Sequence, residues 1–244
     1  MISAIFWFME ISFLVGALAL YIVNNKETNS TKRNQWIKYV VYFFIVHTAI
    51  LSALAGPQFF TILVVAIIII GLYELVRVYK KMLSSRSHLS LVALSLVVYL
   101  LLAFGLFYFS IRSNSKTIIF LYITIVTFDG FSQIIGQLIG KHQLVPKLSP
   151  KKTIEGTLGG CCAAIIAALT LRSLADFSIS QALIVGFMLS IASLLGDLTA
   201  SWFKRINNIK DFSRILPGHG GILDRFDSLL VAASIFMIYS RYAL

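Results

Sequence analysis

The sequence predicts an all-α fold: a polytopic helical integral membrane protein of about eight transmembrane helices. Three observations predict it. Of the 244 residues, 58% are hydrophobic and 13% charged, with a mean hydropathy of +0.87, whereas soluble domains carry about 25% charged residues. Apolar runs recur to the last residues, so removal of a signal peptide would not leave a soluble remainder. Lys and Arg collect in alternate connections between the runs, as topology-determining charges do.

A hydrocarbon core of about 30 Å is crossed by about 20 helical residues. That ruler fits runs at 2–23, 37–55, 58–76, 89–109, 117–139, 157–171, 179–200 and 226–243. The first contains Glu10, which has no visible partner and is assigned no role. The second and fourth have His47 and His88 near their ends, read as structural or interfacial residues. The third ends near Glu74. The fifth carries Asp129 at mid-span, an expensive position unless the side chain faces a cavity or another helix. The sixth is short and begins Thr157-Leu158-Gly159-Gly160, which suits a tilted, re-entrant or glycine-packed helix. Its adjacent Cys161 and Cys162 close no useful disulfide loop and are read as small packing residues. The seventh ends in Asp197, Thr199 and Ser201, so its last turns line a wet site.

With the N-terminus outside, 17 of the 21 Lys and Arg fall on inside connections, leaving Arg112, Lys116, Arg172 and Arg241 outside. A missed or extra span would invert everything after it, so both termini are expected outside. The net charge of +11 then reflects loop bias and anionic substrates rather than nucleic acid. The longest inside connections, 140–156 and 201–225, hold most of the Gly, Pro and charge clustering of the second half. Residues 1–110 therefore read as N-terminal helices and 111–244 as a C-terminal catalytic region.

Asp197 has Ser193 and Ser201 four residues to either side, on one helical face. Asp224 and Asp227, three apart, share a face where the eighth run begins. Three carboxylates at the inner ends of two spans can converge at one depth and describe a hard-cation site, with Mg²⁺ favoured for phosphate work and Mn²⁺ as a substitute. The alternative is interfacial pairing with Lys204, Arg205 or Arg225. Between them lie Lys210-Asp211 and Pro217-Gly218-His219-Gly220-Gly221. Glycines let backbone N–H groups approach an anion, and basic side chains neutralise a polyphosphate. His219 reads as a substrate contact rather than a proton carrier, and His142 as part of a polar loop.

The series Ser201-x-x-Lys204-Arg205-x₄-Lys210-Asp211-x₅-Pro217-Gly218-His219-Gly220-Gly221-x-x-Asp224-Arg225-x-Asp227 closely resembles the C-terminal signature of phosphatidate cytidylyltransferases (CDP-diacylglycerol synthases). Ser149-Pro150-Lys151-Lys152-Thr153-x-Glu155-Gly156, with Gly159-Gly160, resembles the family's second conserved loop. Gly196-Asp197, Asp129, Gly136, Gly140, Lys141 and Glu74 also fall where that family places such residues. At Asp129-Gly130-Phe131-Ser132-Gln133 the chain departs from the family's usual form, in which a small residue and then Ala-Tyr follow the Asp. The resemblance implies transfer of a cytidylyl group from CTP to phosphatidate at the cytoplasmic face of the cell's inner membrane. It implies catalytic roles for Asp197, Lys210, Asp211, Asp224 and Asp227, with Asp197, Asp224 and Asp227 on the metal. Substrate contacts are implied for Asp129, Ser149, Lys151, Lys152, Thr153, Glu155, Ser201, Lys204, Arg205, His219, Gly220, Gly221 and Arg225. A monovalent cation and a homodimer are left open. The competing readings are a related CTP-dependent enzyme acting on another lipid phosphate or a polyprenol, and an ion-coupled transporter, whose expected inverted repeat is not visible.

Overall fold

Eight long helices account for nearly all of the computed structural model, which describes residues 2–25, 29–82, 89–216 and 220–243. They are α1 (Ile2–Asn24), α2 (Asn29–Ala55), α3 (Pro57–Met82), α4 (Leu89–Arg112), α5 (Ser115–Ile139), α6 (Ile154–Leu171), α7 (Ile179–Ile206) and α8 (Leu223–Ala243). Each expected span has its helix, and several run past their apolar stretch into polar turns, because a helix satisfies its backbone internally whatever its side chains. By length and composition, seven of the eight are apolar enough to cross a membrane among the described residues. The eighth, α8, falls below that measure, so about eight remains an approximate count of the spans. The reason lies in its sequence: Asp224, Arg225 and Asp227 occupy its first turns and Arg241 its last.

Large apolar side chains such as Leu14, Ile62, Leu101, Phe104, Phe187 and Ile238 are exposed along the helices. Water would penalise so much apolar surface, and lipid would not. One departure from the all-helical expectation is a two-stranded antiparallel sheet, β1 (Gln143–Val145) with β2 (Ser149–Thr153). Its strands are too short for hydrophobic alternation to announce them.

The chain forms two compact units, one of residues 1–48 and 120–190, the other of 49–119 and 191–244. In the first, Phe13 on α1 meets Tyr39 and Phe43 of α2 edge to face, and the Tyr39 hydroxyl donates to the Phe13 carbonyl. Glu10, unpartnered in the sequence reading, lies 3.1 Å from His47 Nε2. Helices α5 and α6 touch through glycines: a Cβ at Gly156 would sit 2.5 Å from the Ser132 carbonyl, and one at Gly160 2.7 Å from that of Phe128. Of the three possibilities raised for the sixth span, this is close packing through small residues.

In the second unit, α8 packs against α3 and α4. The Tyr99 hydroxyl of α4 donates to the Ile68 carbonyl of α3 at 2.7 Å, and Ser234 of α8 donates to the Leu102 carbonyl at 3.2 Å. Phe109 and Phe236 meet edge to face at 5.8 Å. Polar side chains thus bond to neighbouring backbones rather than to lipid, as a low-dielectric surrounding demands.

Candidate active site

The second unit holds the segment in which most candidate residues lie. Helix α7 ends at a turn where Asn208 takes a left-handed φ of 51° and the Ile209 amide donates back to the Lys204 carbonyl at 2.9 Å. Asn tolerates that conformation better than a branched residue. The chain then returns to α8, whose first turn carries Asp224. Asp224 Oδ1 accepts from Lys204 Nζ at 2.6 Å, and Oδ2 accepts from the Phe212 and Gly221 amides, both at 2.9 Å. The paired side chains are only 12% and 1% exposed. Removing one member of such a buried pair leaves an uncompensated charge, at a cost of about 3–5 kcal/mol. The Lys204 ammonium also lies 5.5 Å from the centre of the Phe212 ring, which stacks on Phe203 at 5.7 Å.

A second carboxylate holds the same segment. Glu74, fully buried near the end of α3, accepts from Ser213 Oγ at 2.5 Å, the Ile222 amide at 3.0 Å and the Leu223 amide at 2.9 Å. These amides belong to the α8 N-terminus, where donors lack intrahelical partners and the helix dipole favours negative charge.

Asp197 and Asp227 stand where α7 and α8 touch. A Cβ on Gly196 would lie 2.6 Å from the Asp227 carbonyl oxygen and 2.9 Å from Ser228 Cα, so only glycine permits this approach. Asp197 Oδ1 accepts from Ser201 Oγ at 3.2 Å, the contact expected from their four-residue spacing. Ser193, on the other side, contributes its carbonyl, which accepts from Ser228 Oγ at 3.2 Å. Asp227 is buried, and its Oδ1 accepts from the Ser228 amide at 2.8 Å. Among the described residues no three His, Cys, Asp or Glu side chains gather as they would around one metal ion.

The remaining charges of the segment, Arg205, Lys210, Asp211, Arg214 and Arg225, are exposed. Gly220 has a φ of +84°, which an L side chain rarely adopts, and its carbonyl accepts from the Leu216 amide at 2.9 Å. Pro217, Gly218 and the candidate substrate contact His219 lie outside the described residues. The unit also contains an apolar cavity of about 160 Å³, lined by Val98, Leu102, Phe203 and Leu230 among others, with Asp227 in its wall.

In the first unit, the 149–156 loop is strand β2 running into α6. Thr153 caps α6, its Oγ1 accepting from the Gly156 amide at 3.1 Å. Glu155 Oε2 accepts from the Lys141 amide at 3.1 Å, and Glu155 Oε1 lies 2.6 Å from His142 Nδ1. Thr153 and Glu155 thus shape the loop, and His142 is tied to it rather than merely solvated. Lys151 is exposed, Ser149, Lys152 and Asp129 half-buried.

Sequence reasoning passed over Glu74 beyond noting its position, although the rule applied to the other acids in or beside spans also covers it. Ser213 and Phe212 gave no sequence signal, since their roles depend on the fold of the return segment.

The profile of the cytidylyltransferase family matches residues 1–243. Among curated proteins, the chain is 40% identical over 144 residues to the phosphatidate cytidylyltransferase of Staphylococcus haemolyticus, a stretch covering 58% of this chain and 55% of that protein. It is 41% identical to the protein of the same name from Staphylococcus epidermidis and 38% to that from Staphylococcus aureus, over the same shares. The chain spans about half the length of the curated relatives it matches.

Proposed function

We propose that this chain, which belongs to the cytidylyltransferase family, transfers the cytidylyl group of CTP to phosphatidate, giving CDP-diacylglycerol and pyrophosphate. The observation that carries the reading is its identity of about 40% to relatives named for that activity. The geometry supports it. Two buried carboxylates fold a segment rich in exposed cations against helix ends, and the adjoining apolar cavity with Asp227 in its wall suits an acceptor that brings acyl chains. The clustering of 17 of 21 basic residues on alternate connections favours the cytoplasmic face of the cell membrane.

In the reaction, a phosphate oxygen of phosphatidate attacks the α-phosphorus of CTP in line and pyrophosphate leaves. Both reactants are anions, so Arg205, Lys210, Arg214 and Arg225, exposed around the return segment, neutralise phosphates on approach. The attacking oxygen is already ionised at neutral pH, so no strong general base is needed. The donor set fits Mg²⁺: Asp197 and Asp227 are hard oxygen donors on abutting helices, and Mg²⁺ is commonly held by one or two carboxylates plus phosphates and water rather than by an all-protein cage. An ion held by these carboxylates would supply positive charge to offset the anionic reactants. Asp224 has three of a carboxylate's roughly four acceptor sites taken, and contributes mainly by fixing Lys204.

Purified protein in detergent, given labelled CTP, Mg²⁺ and phosphatidate beside a panel of other lipid phosphates and polyprenyl phosphate, tests the reading. Transfer to phosphatidate that stops in excess chelator and returns with Mg²⁺ or Mn²⁺ is expected. Preference for another acceptor would displace phosphatidate, and undiminished turnover in chelator would displace the metal.

The Lys151→Ala, Lys152→Ala double variant is expected to raise KM for CTP or phosphatidate by about tenfold with little loss of melting temperature, on the scale of one lost charge-assisted contact. Unchanged KM for both substrates would reduce these lysines to topology charges.

A further inference from the structure

We infer that Glu74 is a positioning residue for the transfer, holding Ser213 of the return segment and the N-terminal amides of α8 to α3 and thereby setting the first turns of α8 that carry Asp224, Arg225 and Asp227. The inference rests on the proposed activity for its kinetic readout but not for its structural one. Glu74 belongs to a helix otherwise assigned to generic span-forming sequence, yet it is fully buried and makes no ion pair among the described contacts. Its bonds reach Ser213, 139 residues away, and Ile222 and Leu223, 148 and 149 residues away. Ser213 lies just after the Phe212 amide that Asp224 holds, while Ile222 and Leu223 follow the Gly221 amide that Asp224 also holds. The two acids therefore act as a double clasp, with Asp224 joining the segment to Lys204 and Glu74 joining it to α3.

The fit is close. A Cβ at Gly221 would lie 2.6 Å from both Glu74 oxygens, so the backbone at the start of α8 is in contact with the carboxylate. Packing alone calls for no acid here, since an apolar side chain would fill the volume. What the acid supplies is acceptors for helix-terminal amides that have no other partner among the described residues, together with negative charge at the positive end of the α8 dipole. Asp224 follows Leu223 directly and Asp227 follows one turn later, so rotation or fraying of this turn would displace both. Small misplacements of this kind cost rate rather than fold.

The test compares Glu74→Gln and Ser213→Ala with the wild-type full chain in detergent, by hydrogen exchange, melting temperature and kinetics. Gln keeps the shape but turns an amide nitrogen toward an N–H donor, while Ser213→Ala removes one arm and leaves the carboxylate intact. Expected for Glu74→Gln are faster exchange at 221–223, unchanged exchange in the α4 core around Leu106, and a kcat lower by about tenfold or more. KM for CTP should move little. Ser213→Ala should shift the same readouts in the same direction by less. A melting temperature that falls while kcat per folded molecule and exchange at 221–223 stay at wild-type values would overturn the inference. If Glu74→Gln does not fold, Ser213→Ala decides on the same terms. Were the wild-type protein inactive on every lipid phosphate, the proposed activity would fail, and exchange at 221–223 would still decide the clasp.

Discussion

Asp227→Asn is expected to lower cytidylyl transfer by about a hundredfold or more, the scale of losing one group that manages transition-state charge, in a protein that still inserts and folds. Asn preserves the volume and the Oδ1 acceptor, so the bond from the Ser228 amide at 2.8 Å survives. The change removes negative charge from a buried side chain that lines the apolar cavity, on a residue whose backbone abuts Gly196, the neighbour of Asp197 on α7. A Mg²⁺ held by two carboxylates would bind far more weakly to one. If Asp227 served only as a local helix-terminal acceptor, the Asn variant would keep that service and its activity. The deciding measurement is turnover across a Mg²⁺ titration, with melting temperature followed in parallel. Near-normal turnover at ordinary Mg²⁺ would remove Asp227 from the site.

The helices were legible because span length and charge alternation are one-dimensional properties, set by bilayer thickness and the cost of moving cations across it. The contact of Asp197 with Ser201 was legible for a similar reason, since four residues on a helix bring side chains onto one face. The double clasp was not. Glu74 and Leu223 are 149 residues apart, and no local period encodes their meeting. Asp224 shows a subtler limit. Its residue type and position suggest a metal ligand, but they do not reveal that Lys204 and two loop amides donate to it once it is buried. The same logic ties Glu155 to His142 and the Lys141 amide in a loop that composition alone marked only as polar. The lower apolarity of α8 also has a physical source, because its first turns carry Asp224, Arg225 and Asp227.

Gly196→Ala is expected to damage the protein more than any other single methyl addition considered in the second unit. The new Cβ would meet the Asp227 carbonyl oxygen at 2.6 Å, Ser228 Cα at 2.9 Å and the Asp227 carbonyl carbon at 3.1 Å. All three are backbone atoms, so no rotamer change relieves the contact. At Gly221, by contrast, the obstacle is the Glu74 side chain, which has rotamers to explore. Relief at Gly196 requires α7 and α8 to separate or slide. Overpacking of this kind costs about 1–3 kcal/mol, and a helix shift of about 1 Å at the carboxylates is enough to cost about a hundredfold in rate. Gly130→Ala on α5 is the matched control for stability, because a Cβ there meets nothing within 4 Å and Ala favours the helix by about 1 kcal/mol. The measurements are melting temperature for both variants and kcat for Gly196→Ala. A Gly196→Ala protein with wild-type stability and turnover would mean that α7 and α8 do not abut at Asp227, and would withdraw the Asp197–Asp227 pair as a shared cation site.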